Sequence, residues 1–154
     1  MKITVCGSIA FYREMEILKG VLERKKHEVI IPLLSEEVPQ YGDGRKIYFA
    51  KYIEEHGGID AFPPDDPIWI TKQNAIRDHF EKIEWCEAIV VANHKKREVE
   101  GYIGGNTLIE IGLAFFLRKK IYIMHSISSA LSYKQEIYGM KPILLNDNLS
   151  LIGE

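Results

Sequence analysis

The chain has 154 residues, 46% of them hydrophobic and 27% charged, with a formal net charge of -2, the profile of one globular domain large enough to bury a core. The near-neutral balance gives no electrostatic reason to expect nucleic acid or an anionic membrane surface as partner, and the longest apolar run, 108–117, is broken by Glu110 and too short to span a bilayer. Two cysteines, Cys6 and Cys86, and five histidines without metal-ligand spacing give neither a disulfide framework nor a metal site, so reduced thiols in the cytoplasm are expected and no cofactor is implied.

The N-terminus reads directly as a strand, 2–6, without an n-region or cleavage site. After the turn Gly7-Ser8, a helix is predicted over 12–26, with Met15, Leu18, Val21 and Leu22 on one face. A second strand covers 27–32. The stretch 35–70 then breaks the rhythm: it holds Pro39, Pro63, Pro64 and Pro67, four glycines and the acid pair Asp65-Asp66. Its middle, 45–55, has the pattern of a short helix, and its aromatics (Tyr41, Tyr48, Phe49, Tyr52, Phe62, Trp69) argue against disorder. An ordered flap near a ligand site and an irregular loop packed on the surface are equally open readings. A helix follows over 71–85, with Ile76, Phe80 and Ile83 at helical spacing. The unbroken Ala88-Ile89-Val90-Val91-Ala92 marks a strand, 87–93, buried on both faces. A helix over 106–118 ends in Arg118, Lys119 and Lys120, suited to its negative C-terminal end. A strand at 121–124, a helix at 129–137 and a short strand at 142–145 complete the chain. This alternation predicts an α/β fold with a parallel sheet, a single domain over 1–154 with an insertion at about 35–70.

In such a sheet the ligand sits beyond the carboxyl ends of the strands, where the strand order reverses. Three features converge there. Gly7-Ser8, with Ile9, follows the first strand, and its backbone N–H groups and hydroxyl suit a phosphate or a ribose. Asn93-His94 ends the third strand, where Asn93 is either a ligand contact or an ordinary turn residue. The loop Glu100-Gly101-Tyr102-Ile103-Gly104-Gly105-Asn106 then opens a helix. In it Tyr102 can stack on a base or anchor the surface, and Gly105 and Asn106 suit close backbone approach. The run His94-Lys95-Lys96-Arg97 is either a phosphate attractor or a solvated loop.

Glu110 carries the functional question. Thr107-Leu108-Ile109-Glu110 fits a capping box, in which the Glu reaches back to the cap N–H. The same carboxylate, in a first turn among Leu108, Ile109, Ile111 and Leu113, would stay ionised with little water around it, as a nucleophile at an anomeric carbon requires.

Cys6-Gly7-Ser8-Ile9, the helix leading into Cys86-Glu87-Ala88-Ile89-Val90-Val91, and the glycine loop opening Thr107-Leu108-Ile109-Glu110-Ile111-Gly112-Leu113-Ala114 resemble the nucleoside 2-deoxyribosyltransferase superfamily, which includes deoxynucleoside 5'-monophosphate N-glycosidases. The resemblance covers most of the chain outside 35–70, and its most specific element is Glu-x-Gly-x-Ala. It implies a flavodoxin-like, Rossmann-like three-layer sandwich around a five-stranded parallel sheet. It also implies homo-oligomeric assembly and a Glu nucleophile at Glu110, with Asp78 matching the acid that assists the departing base. The nucleotide hydrolases of that group commonly carry Arg after Gly-Ser-Ile; here the position is Ala10.

The expected function is cleavage or transfer at the N-glycosidic bond of a (deoxy)nucleoside or nucleotide. Two alternatives stay open: a phosphoribohydrolase using the Gly104-Gly105-Asn106-Thr107 turn, and a non-catalytic nucleotide-binding module in which Glu110 only caps its helix. The nearly all-round apolar helix from 106 to 117 is expected to form a homodimer interface as well.

Overall fold

A computed structural model describes residues 1–153. In chain order its regular elements are β1 (Lys2–Gly7), α1 (Tyr12–Arg24), β2 (Glu28–Ile30), β3 (Glu36–Glu37), β4 (Lys46–Ile47), α2 (Phe49–Glu55), α3 (Ile68–Trp85), β5 (Ala88–Ala92), α4 (Gly105–Phe116), β6 (Lys120–Ile123), α5 (Lys134–Gly139) and β7 (Ile143–Leu144). The chain divides into two compact units: Met1–Pro32 together with the chain from Phe80 onward, and Leu33–His79.

The first unit is built on a five-stranded sheet in the order β2-β1-β5-β6-β7, parallel throughout. This is the expected α/β, flavodoxin-like arrangement. β1 and β5 lie at its centre, in register from Ile3 opposite Ala88 to Gly7 opposite Ala92. β5 is apolar on both sides because both sheet faces are covered, and in β1 the one buried polar side chain, Thr4, donates its hydroxyl to the Lys82 carbonyl at 2.7 Å. On one face Ile3, Val5, Ala88, Val90 and Tyr122 pack with Met15, Leu18 and Leu22 of α1. On the other, Cys6, Ile89, Val91, Ile121 and Ile123 pack with Ile83 from the end of α3, Ile111 and Ala114 of α4, and Ile137 of α5. Each fully buried aliphatic side chain contributes about 1.5–3 kcal/mol. Because the sequence returns from β2 across β1 to β5, the strand order reverses between β1 and β5. That reversal is the topological switch point where such sheets open a crevice.

Two expected elements shift. The helix expected at 129–137 is confined to Lys134–Gly139, because Ser128 Oγ accepts the Ala130 N–H at 3.2 Å and the segment turns instead of winding. The helix after β5 starts at Gly105, ahead of Thr107.

The second unit contains the expected insertion and is ordered. β3 and β4 form a two-stranded antiparallel ladder. Phe49 and Phe62 both contact the ring of Trp69, and Tyr41 and Tyr52 join their hydroxyls at 3.0 Å. Asp66 accepts the Ile68 N–H at 2.9 Å at the start of α3, a side-chain cap that fixes where that helix begins.

Candidate active site

The carboxyl end of β1 is built by close backbone approach. A Cβ added to Gly7 would lie 2.9 Å from the Ala92 carbonyl oxygen, so only glycine lets β1 meet β5 there. Ser8 then caps a short turn, its Oγ accepting the Ala10 N–H at 3.4 Å, and Ile9 beside it is exposed. The loop after β5 folds back over this point. Lys96 Nζ donates to Ser8 Oγ at 2.8 Å and sits 5.2 Å from the centroid of the Tyr102 ring. The Tyr102 ring in turn lies 3.2 Å from where a Cβ on Gly104 would stand. Ser8, Lys96, Tyr102 and the opening of α4 therefore form one continuous rim at the switch point. Gly105 and Asn106 are exposed on that rim, and nothing lies within 4 Å of a Cβ added to Gly105.

Glu110 is not in a helix's first turn. The cap of α4 is Gly104, in extended conformation at φ -86 and ψ 174, and the Leu108 N–H already reaches back to the Gly104 carbonyl at 2.9 Å. Thr107 is thus inside the helix, buried, and Glu110 falls in the second turn. A capping box needs an extended Ser or Thr at the cap; Thr107 has helical backbone, so that reading of Glu110 is excluded. Macrodipole support for an anion also falls off past the first turn.

Glu110 sits beside Cys6 of β1 instead. Its side chain is only 8% exposed, and a carboxylate oxygen lies within 4.8 Å of Cys6 Sγ. Cys6 is pushed well above the ordinary thiol range, first by burial, then by the negative charge of Glu110, with Cys86 and a hydrogen bond to Glu110 adding to the shift. The thiol accordingly keeps its proton and presents S–H to the carboxylate, a weak donor facing a strong acceptor.

A polar cavity of roughly 380 Å³ opens at the carboxyl ends of β5, β6 and β7, lined among others by Asn93, His94, Glu100, His125 and Asp147. Neither Glu110 nor Cys6 lines it. Asn93 is fully buried, and its amide is occupied: it donates to the carbonyls of His125 at 3.0 Å and Ser126 at 3.4 Å, and accepts the His125 N–H at 2.8 Å. It ties the end of β5 to the end of β6. Beside it, His94 Nδ1 and His125 Nε2 are 3.2 Å apart, and His125 Nδ1 is 3.4 Å from Asp147. Burial first, then the charge of His125, lowers the pKa of His94, partly opposed by Glu14 and Asp147.

Of the residues expected from sequence, the first unit brings Gly7, Ser8, Tyr102 and the start of α4 together at the switch point, and engages Asn93 in backbone bonds. Asp78 lies on α3 within the second unit, partly exposed. Glu100 is exposed and paired with Lys95 at 3.7 Å. Sequence reasoning missed Cys6 as a neighbour of Glu110, and the His125–Asp147 pair. Cys6 reads in sequence as an ordinary core thiol, and only the register of β1 against α4 distinguishes it.

No protein-family model matches the chain, and no curated protein matches it in sequence. Solved structures do share its fold. A 2-deoxyribosyltransferase from Bacillus psychrosaccharolyticus matches at TM-score 0.54 and 13% identity over 91% of this chain and 82% of its own. A CMP N-glycosidase from Clostridium botulinum matches at 0.47 and 13%, over 94% and 85%. A 2-deoxyribosyltransferase from Leishmania mexicana matches at 0.47 and 16%, over 80% and 63%. The likeness to the Bacillus psychrosaccharolyticus structure shows a shared α/β fold. Among the described residues no helix is long and apolar enough to cross a membrane.

Proposed function

We propose that this chain is an enzyme that cleaves or transfers at the N-glycosidic bond of a (deoxy)nucleoside or nucleotide, with Glu110 as nucleophile. One observation carries the reading: a buried carboxylate that does not cap its helix, seated beside the Cys6 thiol one residue before the Gly7-Ser8 turn. The fold shared with the 2-deoxyribosyltransferase from Bacillus psychrosaccharolyticus supports it.

In this reaction a Glu110 oxygen attacks the anomeric carbon as the carbon–nitrogen bond breaks and its electron pair leaves with the base. A proton reaches the departing base, a role for which Asp78 is the candidate acid. Water or a second base then attacks the glycosyl ester and returns the carboxylate. A carboxylate with little water around it is a stronger nucleophile than a solvated one, and the S–H of Cys6 orients it without neutralising it. The rim formed by Ser8, Tyr102, Gly105 and Asn106 receives sugar and base. The exposed apolar side of α4 pairs with a second copy of the chain.

Release of free base from paired nucleosides and 5'-monophosphates, in ribo and deoxy forms, tests the reading. Glu110→Gln, folded by circular dichroism, is expected to lose release by at least about 10³-fold. Absence of release from every substrate, with and without an acceptor base, returns the chain to a binding module. Release from ribonucleoside monophosphates only would make it a phosphoribohydrolase.

A further inference from the structure

A second cluster of titratable side chains lies apart from Glu110, in the polar cavity at the carboxyl ends of β5 and β6. His94 and His125 are 31 residues apart, and no ligand spacing in the sequence marks them. The register of the strands brings them together. The ladder that sets Val91 opposite Ile123 continues through the Met124 N–H, which reaches the Val91 carbonyl at 3.0 Å. Asn93 clamps the next step by its bonds to the backbone of His125 and Ser126. Gly101, at φ 66, closes one wall, since a Cβ there would collide with the Ser126 carbonyl oxygen. Both histidines are thus carried on fixed strand ends, as a preorganised site requires.

Their geometry suits two ligands of one ion. His94 Nδ1 and His125 Nε2 are 3.2 Å apart, and two nitrogens bound to a tetrahedral cation at about 2.0–2.1 Å stand roughly 3.3 Å from each other. Asp147 lies at the other nitrogen of the His125 ring, 3.4 Å from Nδ1. It favours the proton there and leaves the Nε2 lone pair facing His94. A carboxylate behind a ligating histidine is the usual orienting partner in metal sites. The turn after β7 delivers it: the Asp147 N–H bonds the Met124 carbonyl at 3.3 Å, and Asn146 and Asp147 are left-handed at φ 46 and 65, a conformation that Asn and Asp tolerate. Without an ion, the same separation holds a ring-to-ring hydrogen bond. A cation takes the place of that proton, and His94 then carries its own on Nε2.

The charges on the lining also point to a cation. Lys95 is paired with Glu98 at 3.0 Å and Glu100 at 3.7 Å, at a tight turn in which Lys96 and Val99 exchange hydrogen bonds at 3.0 and 2.9 Å. The central residues of that turn, Arg97 and Glu98, are left-handed at φ 48 and 61, and it sends Lys96 to Ser8 instead. Glu100 and Asp147 outnumber Lys95 among the charged groups that line the cavity, which favours cations over anions.

We propose that His94 Nδ1 and His125 Nε2 bind a divalent cation of the zinc class, with Asp147 as the positioning residue for His125 and the remaining coordination positions open to the cavity. Imidazole ligands suit Zn²⁺, Co²⁺, Ni²⁺ and Cu²⁺, whereas Mg²⁺ and Ca²⁺ take oxygen. The roughly 380 Å³ of polar space beside the two nitrogens leaves room for water or a small ligand on the ion. Glu100 and Asn146, also on the lining, offer oxygens to such a water. The site is independent of Glu110, which does not line this cavity.

Calorimetric titration of the chelator-treated full chain with Zn²⁺ tests this at neutral pH. Wild type is expected to bind the ion, and Mg²⁺ is expected not to compete. Asp147→Asn is expected to weaken binding by about 10- to 100-fold, His94→Ala and His125→Ala by more, and His56→Ala, at the exposed end of α2, not at all. Thermal unfolding checks that each variant is folded: Zn²⁺ should raise the midpoint of wild type and His56→Ala and leave the double His94→Ala, His125→Ala variant unchanged. If the alanine variants do not fold, electron paramagnetic resonance of wild type with Cu²⁺ reads the ligands directly, and hyperfine splitting from imidazole nitrogens supports the site. No binding by wild type, affinity retained by the double variant, a loss shared by His56→Ala, or a Cu²⁺ spectrum of oxygen ligands alone overturns it. Binding that Asp147→Asn leaves untouched overturns the positioning role.

Discussion

Cys6 on β1 and Glu110 in the second turn of α4 face each other, thiol sulfur within 4.8 Å of carboxylate oxygen, across the apolar layer that packs the helix on the sheet. The pair ties the candidate nucleophile to β1, an inner strand of the sheet, and the Cys6 thiol has a signature in alkali. Cys6 holds its proton well above the ordinary value of 9.0, chiefly through burial. Below pH 9 the thiol is neutral in folded and unfolded chains alike. As pH rises further the unfolded chain ionises first, so stability falls, by about 1.4 kcal/mol per pH unit for one group. Cys86 is raised too, again chiefly by burial, and contributes to the same slope. Cys6→Ala is expected to flatten the decline between pH 9 and 10.5 without abolishing it, as measured by urea titration. An unchanged slope would mean that Cys6 is not held protonated in the folded chain.

Asn93 is a clamp. Its amide satisfies the His125 N–H and two carbonyls between the ends of β5 and β6. Asn93→Ala leaves these groups without their partner in a buried position, at a cost of about 1–3 kcal/mol. Asn93→Asp is expected to be no better, since a carboxylate cannot donate to the two carbonyls. Thermal unfolding should show a drop of several degrees for either variant. A variant as stable as wild type would return Asn93 to the ligand-contact role.

The turn that aims Lys96 gives a stability test independent of function. Glu98 has φ 61, a conformation that costs an L side chain about 1–2 kcal/mol and glycine very little. Its carboxylate lies 3.0 Å from Lys95 but is almost wholly exposed, so its loss weighs little. Glu98→Gly is expected to stabilise the chain by up to about 1 kcal/mol, read by chemical denaturation. A net loss would mean that the Lys95 pair outweighs backbone strain.

The sheet was legible because its signals are local. Ala88 to Ala92 has no polar interruption, and Met15, Leu18 and Leu22 recur at helical spacing, so strand, helix and parallel order follow from pattern alone. The candidate site was marked out by position, since Gly7-Ser8 and the Gly104-Gly105 loop lie at or just beyond strand ends in the sequence. Glu110 shows where pattern fails. Thr-x-x-Glu is a local signature, but helix entry was decided by Gly104 and Gly105, which admit the chain ahead of Thr107. The residues that surround the site came from non-local register: Cys6 from β1, Lys96 from a hairpin whose left-handed residues carry no glycine to announce them, and Asp147 from beyond β7. No sequence spacing encodes such meetings.

His94 makes a prediction in acid. Its pKa is lowered from 6.5, first by burial and then by His125, whose Nε2 is 3.2 Å away. A group whose folded pKa is depressed contributes stability above its unfolded pKa and loses it as pH falls. His94 is neutral in both states at pH 8; below about 6.5 the unfolded chain takes up its proton first. Glu14, Asp147 and the ring of His125 are the titratable groups acting on it. His94→Gln is expected to be less acid-sensitive than wild type between pH 6.5 and 5, in denaturant titrations at each pH. Equal acid sensitivity would place the acid-labile group elsewhere.

α4 carries Glu110 inward and apolar side chains outward. Phe116 is 79% exposed and Ile109 45%. Seven residues apart, they lie on one side of the helix with Gly112 between them, where nothing stands within 4 Å of an added Cβ. Phe115, next in sequence to Phe116, projects about 100° away and cannot share the centre of the same contact. Two copies of α4 crossing at Gly112 would place each Phe116 against the partner's Ile109 face in a two-fold, self-complementary contact. Burying such an aromatic removes roughly 150–250 Å² from water, whereas an aspartate there would have to be buried as an unpaired charge. Phe116→Asp is therefore expected to be monomeric in sedimentation at micromolar concentration, while wild type is a dimer and Phe115→Asp dissociates less. A monomeric wild type would sink the assembly, and a dimeric Phe116→Asp would move it off this face. Because Ile109 precedes Glu110, a dimer through this contact should also bear on turnover, with specific activity rising with enzyme concentration across the dissociation range.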